Sequence, residues 1–454
     1  MKTTWFWVIL VVALAGRVAV VPWGHSYRAM TPDSRDYLRL ANTLLDDGSF
    51  GSDPEVFRTP GYPVLIAGAL LTGGDSATYL VLVFQCLLGG GTCVLVHILA
   101  ERLAGARVAL LAMASQAVTP VAVAGSARLL SETTYTFLLT GGLVLLLMHL
   151  RNRRWIALVL AGVALVLSAY IRPVGLVMGV LLVLFLLCLR RWKSVGTMLA
   201  IVVLGVTPWI ARNAVVADYC AFSSFATESM FAYSAPQMLA AEMEPTRSRP
   251  GPDAESKPVT DLQIAEHEMI QRSIDRNRSR SDEEQSRGYL IRAKRDVVLD
   301  VIREHPLTFA RLHLKGDLNF WLPGATELLE VTGQTRGQKG TLTVIRQEGF
   351  VAGVRHYFGG NTSALVLGIA LSLIWLVKML GILSAGVLKF RFRLPPVGWL
   401  MLAMVLVSFL IGGVATTPRF RVPMEPILSI AAAVGWLAPV GRFRRPREAT
   451  AEQQ

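Results

Sequence analysis

Long apolar runs alternate with short polar breaks over most of this chain, and each run has the length of a helix rather than a strand. A bilayer core of about 30 Å takes roughly 20 apolar residues as helix, because the backbone polar groups must be satisfied within the segment. Ten segments read this way: 5–21, 78–99, 108–125, 133–150, 155–170, 174–189, 195–210, 364–383, 397–414 and 422–440. The pattern predicts an all-α polytopic membrane protein of about ten transmembrane helices. The run from Trp5 has no small-residue cleavage site after it and reads as a signal anchor.

Two stretches interrupt the rhythm. The first, 22–77, holds TPDSRDYLRLANTLL, where Thr31 caps a helix whose first residue is Pro32. Tyr37, Leu40, Ala41, Leu44 and Leu45 then fall on one stripe, with Asp36 and Arg39 elsewhere, as expected of a helix lying on the membrane surface. Further on, FRTPGYPVLIAGALL makes a rigid turn into an apolar helix too short to span. The second stretch, 212–363, opens with a polar region that reads as surface helix or partly disordered chain. Its later part, VVLDVIREHPLTFARLHLKGDLNFWLPG, has the spacing of interfacial helices. The chain thus divides into an N-terminal transmembrane module, 1–211, carrying the first outer loop, 22–77; an outer loop, 212–363; C-terminal transmembrane helices, 364–441; and a tail, 442–454. The amphipathic juxtamembrane helices belong to the first and fourth outer loops.

Composition supports the membrane reading: 53% of the 454 residues are hydrophobic, 17% are charged, and mean hydropathy is +0.47. The net charge of +13 changes the picture only through its placement. Lys2, Arg102 with Arg107, Arg151/Arg153/Arg154, Arg190/Arg191/Lys193, Lys389/Arg391/Arg393 and Arg442/Arg444/Arg445/Arg447 fall at every second boundary. By the positive-inside rule both termini lie in the cytoplasm of a multi-pass inner (plasma) membrane protein, and a nucleic-acid partner is not expected. Cys86, Cys93, Cys188 and Cys220 show neither metal spacing nor a disulfide framework.

Candidate chemistry collects on the other side. Asp33 and Tyr37, four apart, share a helical face, with Asp33 in the first turn where the helix dipole favours its ionised form. Spacing alone leaves two readings open: Asp33 as a general base, or Asp33 assisting the cap while Asp36 pairs with Arg39. Arg128, Arg172, Arg212, Arg419 and Arg421 run against the charge bias. They either snorkel to lipid phosphates or line a cavity suited to a substrate phosphate. Glu132 lies in the same layer. His305 and His313, eight apart, match no metal pattern, and no metal site is expected.

Taken in order, TPDSRDYLRLANTLLDDGSF, FRTPGYPVLIAGALL, LLSETTYTFLL, AYIRPVG, PWIARN and TTPRFRVPMEPIL resemble the bacterial polytopic GT-C glycosyltransferases. The nearest resemblance is to glycosyltransferase family 39-like proteins, relatives of protein O-mannosyltransferases and lipid A aminoarabinose transferases. The resemblance implies a catalytic Asp33 matched with Tyr37, and it places Ser34 where relatives often carry a second acid. Asp36, Tyr37, Arg58, Tyr62, Glu132, Arg172, Arg212, Arg419 and Arg421 are the implied substrate-binding residues. Whether Asp36 or Glu55 takes the second acid's role, and whether a divalent cation assists, stay open. The implied reaction transfers one sugar from a polyprenyl-phosphate donor, with inversion, to a hydroxyl of a lipid, glycan or protein acceptor at the outer face. No nucleotide-binding fingerprint is found or needed. Rival expectations are a lipid-linked polysaccharide ligase or polymerase using His305, His313 or His356, and a secondary transporter with broken helices around Lys378.

Overall fold

The computed structural model describes residues 2–24, 30–51, 55–243, 261–277, 286–335, 341–358, 360–389 and 395–437, and among them there are helices and turns but no strand. Among the described residues seven helices are long and apolar enough to cross a membrane, and an eighth span arises if a bent pair is counted as one. That pair, Ala106–Ala117 and Pro120–Ser126, replaces the continuous span expected at 108–125 and is bent by 59°. The cause is local: Pro120 has no N–H to continue the ladder, so the helix stops at Ala117 and restarts with Pro120 in its first turn. Trp155–Ile171 and Val174–Cys188, at 17 and 15 residues, are apolar but shorter than the length that by itself crosses a bilayer. The basic clusters at 391–393 and 442–447 and the tail lie outside the described residues.

Lipid gives little hydrophobic drive for helix association, so close packing at small residues has to supply it. The GGG of LLGGGTC does so in the helix Ala77–Ala104. A side chain at Gly90 would strike Leu14 of the first helix, and one at Gly91 would strike Phe137 of Glu132–Asn152. Around this centre pack Ala106–Ala117 and Glu425–Leu437, with Thr362–Lys389 outside the latter and Trp192–Ala217 against Trp155–Ile171.

In the second hydrophilic stretch, the described part of the polar region takes the surface-helix reading. Asp261–Asn277 is a helix whose Ala265 and Met269, four apart, are buried against Met238, Leu239, Val297, Val298 and Val301. Two small apolar side chains at helical spacing suffice to dock an otherwise charged helix. Beyond it, the helix Pro306–Asp317 lies against the C-terminal end of Pro396–Gly412. Asp317 is fully buried and accepts from the Gly413 N–H at 2.6 Å and from the Thr416 hydroxyl at 3.4 Å. Gly413 has φ +59°, and its carbonyl lies where a side chain at Gly316 would have to go. Only a glycine pair permits this approach, which fixes the turn leading into the segment Pro418–Met424.

Candidate active site

The helix Pro32–Asp46 starts as the sequence predicts, and its cap explains Ser34. The Thr31 hydroxyl accepts from the Ser34 N–H at 3.1 Å, while the Ser34 hydroxyl accepts from the Thr31 N–H at 3.2 Å. Ser34 is fully buried and spent on this reciprocal cap, which leaves Asp33 as the acid of the first turn.

Two guanidinium groups grip Asp33. Arg58 donates through Nη2 to Oδ1 at 2.7 Å, and Arg419 donates through Nη2 to Oδ2 at 2.5 Å across 386 positions of sequence. Burial alone would raise the carboxyl, but Arg419 and Arg58 outweigh it and hold its pKa at about 2. Arg58 also donates through Nε to Asp36 at 2.9 Å and lies over the Tyr37 ring, 4.9 Å from its centroid. Asp36 takes Arg39 on its other oxygen at 2.8 Å. The Glu55 carboxylate accepts from the Phe57 and Arg58 N–H groups at 2.7 and 3.1 Å, so it fixes the turn that aims Arg58.

A second layer lies behind Tyr37. Its hydroxyl is 3.1 Å from the Ser131 hydroxyl, which also accepts from Arg172 at 3.2 Å. Arg172 pairs with Glu132 at 2.8 Å, and the same Glu132 oxygen is 3.9 Å from Arg419 Nε. Gly61 makes this convergence possible: a Cβ there would meet the Tyr170 carbonyl, so the RTPGYP turn can press directly on the chain just before Arg172. Tyr62 stands one ring further back, edge-on to Tyr37 at 4.8 Å, and donates to Gln85 at 2.5 Å. Gln85 in turn donates to the Ser126 and Arg128 carbonyls at 3.2 and 2.7 Å, tying the chain that precedes Glu132.

Asp33, Asp36, Tyr37, Arg58, Glu132, Arg172 and Arg419 are therefore joined by direct contacts, while Arg212 and Arg421 stand apart. Arg212 donates to the Glu55 and Phe50 carbonyls at 2.6 and 3.2 Å and lies on Trp209, bracing the first loop from behind. Arg421 is fully buried; it donates to the carbonyls of Phe320, Leu322 and Pro323 and pairs with Glu425 at 2.6 Å. Geometry separates two arginines that are two residues apart. Pro418–Met424 is a 3-10 segment with three residues per turn, so positions 419 and 421 point to different sides.

Sequence reasoning missed Gln85, Glu327 and Glu330. The last two come from the helix Ala325–Val331 and pair with Arg128, Glu330 at 3.1 Å and Glu327 at closer range. The lone Gln in LVFQCLL and the acids three apart in TELLE are the local signals. Among the described residues no group of three His, Cys, Asp or Glu could hold a metal ion. The donor set at Asp33 does not suit a divalent cation, since Arg58 bridges both aspartates and Arg419 takes the remaining Asp33 oxygen.

Comparison with known proteins gives a consistent frame. Residues 58–211 match the family model described as dolichyl-phosphate-mannose-protein mannosyltransferase. No curated protein matches the sequence. Among solved structures, the archaeal oligosaccharyltransferase AglB from Archaeoglobus fulgidus, in complex with an inhibitory peptide and a dolichol-phosphate, is 15% identical with a TM-score of 0.51. The alignment covers 97% of this chain and 50% of AglB, so the chain spans about half of that protein's length, and the likeness is one of fold. ArnT from Cupriavidus metallidurans bound to undecaprenyl phosphate is 16% identical over 96% of this chain and 79% of its own, with a TM-score of 0.43.

Proposed function

We propose that this chain, whose fold is that of the GT-C membrane glycosyltransferases, moves one monosaccharide from a polyprenyl-phosphate donor to an acceptor hydroxyl at the outer face of the membrane. The observation that carries the reading is Asp33 clasped between Arg58 and Arg419 at the start of an amphipathic helix. The acceptor oxygen attacks the anomeric carbon as Asp33 takes its proton. The bond to the phosphate oxygen breaks, and the polyprenyl phosphate leaves with the electron pair. One displacement inverts the anomeric centre. Arg419 and Arg172 stabilise the charge that grows on the leaving phosphate, because guanidinium donors match its oxygens.

A carboxylate held at about 2 is a weak base, so the resting cluster is not yet the reactive one. Three carboxylates, Asp33, Asp36 and Glu132, share Arg58, Arg172 and Arg419. A donor phosphate entering this balanced set competes for Arg419, and each contact it takes from Asp33 returns basicity to the carboxyl. The spectator carboxylates keep the remaining guanidinium groups oriented.

The family match at 58–211 supports the lipid-phosphate donor class, since it describes a dolichyl-phosphate-mannose enzyme. Incubating the purified full chain with undecaprenyl-phosphate-linked monosaccharides and a membrane extract, then identifying products by mass spectrometry and their anomeric configuration by NMR, tests the reading. Sugar transfer with an inverted anomeric centre is expected. Retention, or no transfer from any such donor, overturns it.

A transporter reading has one observation in its favour: Lys378 donates to Thr119, at the bend between Ala106–Ala117 and Pro120–Ser126. Lys378 also pairs with Glu425 at 2.5 Å, and both are buried, so this polar group holds the bend closed. Sugar flux into liposomes that depends on Lys378 and not on Asp33 would favour it.

A further inference from the structure

Beside Arg419 a small, partly open space lies between Pro120–Ser126, the start of Glu132–Asn152 and Ala325–Val331. Gly125, Arg128, Glu132, Glu327 and Arg419 line it, and it offers about 10 Å³ of space accessible to water, room for one water-sized group. Three buried atoms of its lining residues lack hydrogen-bond partners: both Glu132 carboxylate oxygens, which accept, and Arg128 Nε, a donor. Glu132 is 2% exposed, and its ion pair with Arg172 engages Oε1, which leaves Oε2 without any charged partner among the described residues. Unpaired buried groups of this kind are rare without a purpose.

We infer that this slot receives one hydroxyl group of the transferred sugar, and that Gly125, Arg128, Glu132 and Glu327 thereby determine which sugars are accepted; the inference rests on the transferase reading above. A hydroxyl donates to Glu132 Oε2 and accepts from Arg128 Nε, which completes both walls at once. The alternatives fail on size or charge. An acetamido group is too large for the space of one water. An ammonium would meet the guanidinium groups of Arg128 and Arg419 as well as the two carboxylates, so its charge gains no net partner. A deoxy position leaves Glu132 Oε2 and Arg128 Nε unpaired, the situation in which a hydrogen-bonding site rejects the analogue lacking the group. Arg128 is held for this task by Glu327 and Glu330, so the second outer loop closes the slot.

Gly125 supplies the cleanest variant. A Cβ there would meet the Thr133 hydroxyl at 3.6 Å, an ordinary contact, and its backbone needs no left-handed conformation, so Gly125→Ala fits the fold while narrowing the slot. The probes are undecaprenyl-phosphate-linked glucose and mannose and their monodeoxy analogues, with undecaprenyl phosphate itself as control, bound to the detergent-purified full chain and read by thermal-shift titration. Removal of one particular hydroxyl is expected to weaken binding by about 100-fold, and removal of the others far less. Gly125→Ala should weaken the parent sugar and erase that difference, with the unfolding temperature of the unliganded protein unchanged; Glu327→Gln should reduce the difference. Equal binding of all deoxy analogues, or full discrimination retained in Gly125→Ala, overturns the slot while undecaprenyl phosphate binding leaves the transferase reading in place. Failure of undecaprenyl phosphate itself to bind overturns both.

Discussion

At the scale of single residues, the proposed chemistry turns on how tightly Asp33 is held. Its folded pKa, about 2, lies below the ordinary value of 3.8, so the clasp contributes stability above about pH 4 that is lost as pH falls toward 2. In the free protein Asp33 therefore stays ionised throughout the neutral and mildly acidic range. Arg58→Gln removes one of its two clamps, and burial then pushes the carboxyl upward. The acid limb of kcat/KM, which reports the free enzyme, should move to higher pH in this variant, and an unmoved limb would mean that Asp33 is not the titrating base. Helical spacing puts Asp33 and Tyr37 on one face but leaves the role of Asp33 open, and Arg58 and Glu132 are singled out as site residues only by the resemblance; the structure brings all four into one cluster. The separate fates of Arg419 and Arg421 were not legible, since both share one motif and the helical turn of Pro418–Met424, rather than an extended chain, aims them apart.

At the scale of elements, caps and buried polar ties place these residues. Thr31→Ala breaks the reciprocal cap and should cost about 1 kcal/mol of stability, with a fall in kcat that exceeds any rise in KM because Asp33 loses its fixed aim; equal changes in both would argue against a positioning role. Gln85→Leu leaves the Tyr62 hydroxyl and the carbonyls of Ser126 and Arg128 without their partner. A loss of roughly 1–3 kcal/mol is expected, measurable as a lower unfolding temperature in detergent. The cap was readable from Thr31-Pro32, whereas the bend at Thr119 and the docking of Asp261–Asn277 depend on partners far away in sequence. Apolar length predicts where a helix runs, but not that Pro120 will divide it or that Ala265 and Met269 find a buried face.

At the scale of the whole molecule, the C-terminal helices and the segment 306–323 are fastened by Arg421, which joins Glu425 to three carbonyls of residues 320–323 and lies 3.6 Å from the Trp375 ring centroid. Arg421→Met strands these groups in a buried site, and a loss of about 3–5 kcal/mol is expected, seen as poor recovery of folded protein rather than as a specific catalytic defect. The architecture of many apolar helices with two hydrophilic interruptions was legible from hydropathy alone. The closure of the site was not, because Arg419 reaches Asp33 across 386 positions of sequence, from the turn Pro418–Met424 near the end of the described chain. Sugar transfer from an undecaprenyl-phosphate-linked donor by purified Asp33→Asn, beside His305→Ala and the unaltered chain, tests the central claim most directly. Catalysis by Asp33 predicts a loss of at least about 1000-fold in Asp33→Asn alone, with His305→Ala near the unaltered rate; an active Asp33→Asn with an inactive His305→Ala would contradict it.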